Sequence, residues 1–234
     1  MSSVLSRLRW LLTGFRLYGI EDWPVTQPEA AVDDLRPEEP EDLARDRESS
    51  LSDVQNALGD CRRCRLHSGR THIVFGQGSH RAQLVFVGEG PGFDEDRQGQ
   101  PFVGRAGKLL NAMIRALGLQ REEVYICNVV KCRPPDNRTP NPDEIEVCSQ
   151  FLIQQLTAIQ PRVICALGAC AAQTLLDTSV SISRLRGKAH LWRGVPLICT
   201  YHPAYLLRNP AQKASAWQDL LQIHHLLHSG QAPR

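Results

Sequence analysis

Four of the eight cysteines stand in two unlike arrangements, Cys61 and Cys64 as C-x2-C and Cys132 and Cys148 as C-x15-C. A C-x2-C pair chelates one centre from a single tight turn. Two thiolates arriving from a distant segment complete a four-thiolate shell suited to zinc or to an iron–sulfur cluster. Spacing leaves that choice open. Between the pairs lies Gly88-Glu89-Gly90-Pro91-Gly92, a loop that such a centre would pin to the rest of the fold. Asn128 interrupts the apolar run Tyr125-Ile126-Cys127-Asn128-Val129-Val130, and His202 stands in Tyr201-His202-Pro203-Ala204-Tyr205. An amide buried in a strand needs partners for both its oxygen and its nitrogen. With one accepting and one donating edge, it suits a planar heterocycle that offers a carbonyl beside an N–H.

Common nucleotide loops do not fit. The Gly-rich run lacks the G-x-G-x-x-G spacing because position 93 is Phe. Gly107-Lys108 fails as a phosphate loop, since Phe102 stands where the first Gly belongs and Leu109 replaces Ser or Thr.

The elements that must position these groups are legible as alternating periods. Short β-branched apolar runs at 84–87, 124–130, 163–167 and 195–200 predict strands. Helical segments are predicted over 104–117, 142–159, 169–176 and 212–227. Leu109, Leu110, Met113, Ile114 and Leu117 recur at helical spacing, and Asn141-Pro142-Asp143-Glu144 is a strong helix start. Such alternation predicts a three-layer α/β/α sandwich with a central, mainly parallel four-stranded sheet. Ligands of such sheets bind beyond the carboxyl ends of the strands, the edge on which Glu89, Asn128 and His202 converge.

With 234 residues, 42% of them hydrophobic, the chain fills one α/β domain with extensions and not two full domains. Residues 1–23 read as an amphipathic helix on Leu5, Leu8, Leu11, Leu12 and Phe15, too short and too charged to span a membrane. Residues 24–50 are acidic, Pro-rich and poor in large apolar side chains, hence a linker, and residues 51–230 are expected to form the main folded domain. Eight cysteines in a mid-sized chain with no recognisable signal peptide point to a reducing cytoplasm and not to a secreted disulfide framework. The net charge of +2 hides a division: residues 1–60 hold 13 Asp+Glu against 6 Lys+Arg, whereas 61–234 hold 21 Lys+Arg against 12 Asp+Glu. A basic folded part suits a polyanionic partner.

Taken together, Cys61-x2-Cys64, Gly-Glu-Gly-Pro-Gly at 88–92, Pro101-Phe102-Val103-Gly104, Asn128-Val-Val-Lys131-Cys132-Arg-Pro-Pro135, Cys148 and His202-Pro-Ala-Tyr-Leu-Leu-Arg208 resemble the family 4, iron–sulfur uracil-DNA glycosylases. The resemblance runs over about residues 57–228. It implies a [4Fe-4S] cluster on Cys61, Cys64, Cys132 and Cys148, and leaves Cys127, Cys165, Cys170 and Cys199 as buried small hydrophobes. It implies that uracil, extruded from DNA, stacks on Phe102 and pairs through O4 and N3–H with Asn128. His202 donates to O2, and Glu89 positions or deprotonates water and favours the cationic sugar. Gly88 and Gly90 line the pocket, the latter with backbone donors, and Glu95 guards against the thymine methyl, whereas Asp94 and Asp96 read as solvated charges.

DNA contacts are expected from a loop carrying Arg184, Arg186 and Lys188. Tyr205, Leu206 and Leu207 would form a wedge, with Arg208 on phosphate. The substrate is uracil-containing DNA, duplex or single-stranded, and the protein is expected to be a monomer in a bacterial-type cytoplasm, associated with the nucleoid. A repair or replication protein is the expected partner of residues 1–23.

Two other readings compete, beside a redox protein that would use the four-cysteine centre for electron transfer. One is a nucleic-acid-binding module stabilised by the four-cysteine centre without hydrolysis. The other is the relative that crosslinks to its product through a histidine, but Cys132-Arg-Pro-Pro-Asp-Asn-Arg138 carries no histidine-containing insertion.

Overall fold

The computed structural model describes residues 41–228, with side chains from residue 50 onward. The chain divides into two units, 1–43 and 44–234, and the expected N-terminal helix lies outside the described residues. Helix α1, Glu41–Leu58, begins inside the segment expected to be linker, so residues 41–50 are helical. Their Pro-free stretch of Glu, Ala, Arg and Leu favours helix, and acidic composition alone does not prevent one.

Among the described residues the sheet has six strands and not four: β1 (Gln77–Gly78), β2 (Leu84–Gly88), β3 (Tyr125–Asn128), β4 (Val163–Leu167), β5 (Ala189–Trp192) and β6 (Val195–Thr200), in the order β1-β3-β2-β4-β6-β5. The four expected strands form its parallel centre, β3-β2-β4-β6. The two unexpected ones are antiparallel edges. Their sequences concealed them: β1 has two residues, and β5, which returns through a hairpin onto β6, leaves three of its four side chains outside the core. Neither carries an apolar period.

Strand alternation sends side chains to two separate cores. Val85, Val87, Cys127, Ile164, Ala166 and Cys199 face α1, α4 (Pro142–Ile159) and α5 (Ala169–Leu176). Leu84, Phe86, Ile126, Cys165, Leu167 and Ile198 face α3 (Arg105–Ala116) and α8 (Lys213–His228). Cys127, Cys165, Cys170 and Cys199 are all buried. Because α3 follows β2 on one face and α5 follows β4 on the other, these neighbouring strands form a switch point, the kind of place where open α/β sheets bind ligands. No described helix is long and apolar enough to cross a membrane.

Candidate active site

Gly88 and Asn128 are register partners across the parallel pair β2/β3, so they share a face at the carboxyl end of these strands. A Cβ at position 88 would lie 2.4 Å from Asn128 Oδ1 and 2.6 Å from Phe102 Cζ. Only glycine lets the ring and the amide close over that strand end. Asn128 is 1% exposed, and its Oδ1 has no hydrogen-bond partner among the described residues. A buried, unpaired amide oxygen costs about 1–3 kcal/mol. A ligand donor that meets it would recover that energy.

Phe102 is held in place from three sides. Its φ of 53° lies in the left-handed region, unusual for an aromatic residue. Glu95, in the short helix α2 (Phe93–Gln98), accepts the Val103 and Gly104 amides on one carboxylate oxygen, both at 2.9 Å. The Arg121 guanidinium donates to the Pro101 carbonyl, to Phe102 O at 3.3 Å and to Asn111 Oδ1 at 2.8 Å. Gly107 completes the clamp, since a Cβ there would sit 1.8 Å from Phe102 O. Glu95 therefore braces the Phe102 loop. Asp96 corrects the expectation of a solvated charge: it is 3% exposed and accepts the Thr71 amide at 2.8 Å, tying α2 to the segment after the C-x2-C turn.

His202 caps α7 (Pro203–Arg208), its Nδ1 accepting the Ala204 amide at 3.1 Å. Its ring centroid lies 5.6 Å from that of Phe102. Burial, with a smaller contribution from the Arg208 cation, lowers its pKa to about 4. The ring is therefore neutral near pH 7, and with Nδ1 accepting, its proton is on Nε2. Gly168, at φ +92°, follows β4 and leaves 3.0 Å between a would-be Cβ and His202 Cβ. Glu89, on the loop after β2, is half-buried, and burial raises its carboxyl above the ordinary range despite a bond from Thr139. Gly90 lies against Val130, whose methyl would meet a Cβ there at 2.8 Å. Thus Gly88, Glu89, Gly90, Phe102, Asn128 and His202 all gather at one end of the parallel strands.

The four predicted cysteine ligands line one cavity together with Leu58, His67, Arg70, Lys131, Val147 and Phe151. Among the described residues no three His, Cys, Asp or Glu side chains are grouped so as to hold one metal ion. Thiol-directed donors surround it: Arg63 Nη1 lies 3.2 Å from Cys61 Sγ, Arg70 Nη1 3.4 Å from Cys132 Sγ, and the Lys131 amide 3.3 Å from Cys148 Sγ. Burial pushes the Cys132 thiol up to about 11. Cationic neighbours and N–H donors favour the thiolate form that a metal ligand needs.

Lys131 joins this corner to the pocket. Fully buried, it donates to Asn128 O at 2.7 Å and to Gln155 Oε1 at 2.6 Å, while Gln155 Nε2 donates to Phe75 O at 2.9 Å. Glu144, also fully buried, accepts Arg138 on both oxygens at 2.7 and 2.8 Å and caps α4, the helix that carries Cys148. Arg121, Lys131, Gln155 and Glu144 escaped sequence reasoning, because a charged or amide residue shows no pattern that separates a clamp from solvated surface. The only available signal was Glu144 at the third position after Asn141, a capping-box spacing.

The expected DNA surface is divided. Arg184, Lys188, Tyr205 and Arg208 are exposed and Leu207 is partly so. Leu206 is buried at 2% exposure in the core beneath α7, so it is no wedge. Arg186 is an internal residue, paired with Asp219 at 2.9 and 3.0 Å and lying over the Tyr201 ring. The segment expected to be a loop contains the short helix α6 (Ile182–Leu185), which turns Arg186 inward toward α8.

The uracil-DNA glycosylase superfamily model matches residues 75–221, a span that includes Glu89, Phe102, Asn128 and His202. A type-4 uracil-DNA glycosylase of Thermotoga maritima is 51% identical over 165 residues, 70% of this chain and 86% of that protein. The chain belongs to the type-4 uracil-DNA glycosylases. A second member of the family, from Archaeoglobus fulgidus, is 47% identical over 76% of this chain and 93% of its own length. A third, from Sulfurisphaera tokodaii, is 41% identical over 76% and 84%.

Proposed function

We propose that this chain is a base-excision-repair enzyme that hydrolyses the N-glycosidic bond of uracil in DNA and leaves an abasic site. The observation that carries the reading is the unpaired, buried Asn128 Oδ1 beside the Phe102 ring. Uracil offers N3–H to that oxygen and O4 to the amide nitrogen. Cytosine offers a bare ring nitrogen and an amino group there, leaving both edges unmatched, and dry sites of this kind discriminate by roughly 10⁴-fold. The base reaches the pocket only after extrusion from the stack, which costs ~a few kcal/mol and least where it is mispaired.

Bond cleavage moves negative charge onto uracil O2 and positive charge onto the sugar. The neutral His202, with its proton on Nε2, donates to O2. Glu89 orients water, accepts its proton and stabilises the cationic sugar by charge. The proton count closes: water loses one proton to Glu89, its oxygen bonds to the sugar carbon, and uracil leaves as an anion stabilised by His202 before it takes up a proton. Glu95 acts on the thymine methyl through the Phe102 loop that it braces.

Cys61, Cys64, Cys132 and Cys148 would hold a [4Fe-4S] cluster, which when bound supplies a tie between the C-x2-C turn, the segment after β3 and α4. Uracil-containing DNA is the partner. Arg184, Lys188, Tyr205, Leu207 and Arg208 contact it, and residues 1–23 recruit a repair or replication protein.

The test is incubation with an oligonucleotide carrying one uracil, followed by alkali. Strand cleavage at that site with free uracil in solution is expected. An intact strand with a retarded protein band would replace the reading with a binding module, or with a crosslinking enzyme if the band survives denaturation. Iron and sulfide assays on the purified protein are expected to find about four of each per chain.

A further inference from the structure

Phe93 is the first residue of α2, directly after the Gly88–Gly92 loop, and it is 51% exposed. Two guanidinium groups converge on its ring: Arg133 at 5.1 Å and Arg97 at 5.6 Å from the centroid. Neither arginine has a carboxylate within ion-pairing distance among the described residues. Arg133 has its Nε directed to Asn137 Oδ1 at 2.8 Å, which orients the side chain without neutralising it. An exposed aromatic ring forfeits the gain of burial, and two like charges over one ring repel each other. The ring quadrupole offsets only part of that. The patch is thus incomplete as it stands and is matched to a flat, anionic polymer.

Its place in the fold says which polymer. Pro134, next to Arg133, lies 3.6 Å from where a Gly90 Cβ would stand, so the ridge of Arg133 and Pro134 abuts the loop that carries Glu89. On the other side of the pocket, His202 leads into α7 with the exposed Tyr205 and Arg208.

We propose that Phe93, Arg97 and Arg133 form a strand-holding site for the nucleotides flanking the extruded one. A neighbouring base stacks on the Phe93 ring, and the two guanidinium groups take backbone phosphates. Stacking on an aromatic face with cations along the backbone is the general chemistry of single-strand binding. This inference rests on the glycosylase reading, because it takes the pocket beside the patch to be where the base is extruded.

The experiment measures binding of a fluorescein-labelled single-stranded oligonucleotide, with and without one abasic-site analogue, by anisotropy across a salt series. Phe93→Ala is expected to weaken binding by roughly 5- to 100-fold, and Phe93→Trp to restore it. Arg97→Ala with Arg133→Ala is expected to lower the slope of log K against log salt by about 1.4, or 0.7 per phosphate. The single-turnover rate of uracil release at saturating DNA is expected to stay within a few-fold of wild type for all three variants. Unchanged affinity and slope would overturn the proposal. So would a Phe93→Ala loss that Trp does not rescue, since that marks a packing role. Phe93 is exposed, so folding is checked by thermal midpoint and is expected to hold. Failure of the glycosylase reading would show separately, as wild-type protein that binds the oligonucleotide but releases no uracil.

Discussion

Two strand ends of one sheet carry buried polar side chains and treat them in opposite ways. At the end of β6, Thr200 Oγ1 donates to Asp219 Oδ2 at 2.7 Å, and Asp219 also accepts Arg186 and the Gly187 amide. At the end of β3, Asn128 Oδ1 accepts nothing among the described residues. Both side chains are essentially inaccessible to solvent. The first network is complete, and what it stabilises is the attachment of α8 and the Arg186 turn to the sheet. The second is open by one bond, and the surrounding scaffold keeps it open. Lys131 holds the Asn128 carbonyl, Gly88 gives room, and Glu95 and Arg121 fix Phe102. Satisfaction marks scaffold, and the rigidly maintained deficit is where we propose that the base binds.

That contrast breaks most readily at Asn128. Asn128→Asp replaces the donor to O4 with a carboxylate oxygen, and it is expected to slow uracil release by roughly 10³- to 10⁴-fold and to change base choice. Release assays on uracil- and cytosine-containing strands check this, and unchanged selectivity would remove Asn128 from the pocket.

Asp219→Ala probes the opposite case. Removing the buried carboxylate strands Arg186, and the expected loss is about 3–5 kcal/mol of stability. Urea denaturation reads it, and activity per folded molecule should survive. A large loss of activity with normal stability would erase the distinction between the two ends.

Glu89→Gln is expected to cost about 10²- to 10³-fold in rate while leaving DNA binding intact. Its sharper readout is pH. Because burial raises the carboxyl above its usual 4.5, the wild-type rate should fall as pH drops through a midpoint above that value, and this limb should vanish in the variant. His202 contributes in the other sense, to stability. With a folded pKa of about 4 against an ordinary 6.5, the unfolded chain takes up a proton between those values that the folded chain refuses. Stability therefore falls as pH is lowered from 6.5 toward 4. His202→Ala should flatten that decline in denaturation curves measured across the window.

The smallest effects belong to the exposed cations. Arg184→Ala and Lys188→Ala should each weaken duplex binding by less than about 10-fold and lower the salt slope by about 0.9. A slope that does not change would place the duplex elsewhere.

Sequence alone determined the central strands and the main helices, because these are written in local code. Apolar period selects strand or helix, a Pro after an N-cap starts α4, and a C-x2-C pair announces a chelating turn. It put Glu89 and His202 just after strand ends, since a parallel sheet leaves its loops there, and Asn128 within a strand. The edge strands β1 and β5 stayed hidden, because two residues or a solvated hairpin arm carry no such period. Tertiary structure alone decided which charges are surface and which are framework. Arg186, Asp96, Arg121 and Lys131 look like any other charged residue until a distant partner is brought within hydrogen-bond distance. It likewise decided the protonation of His202 and the unpaired state of Asn128, for both depend on what packs around a side chain, and pairing across tens of residues leaves no trace in local spacing.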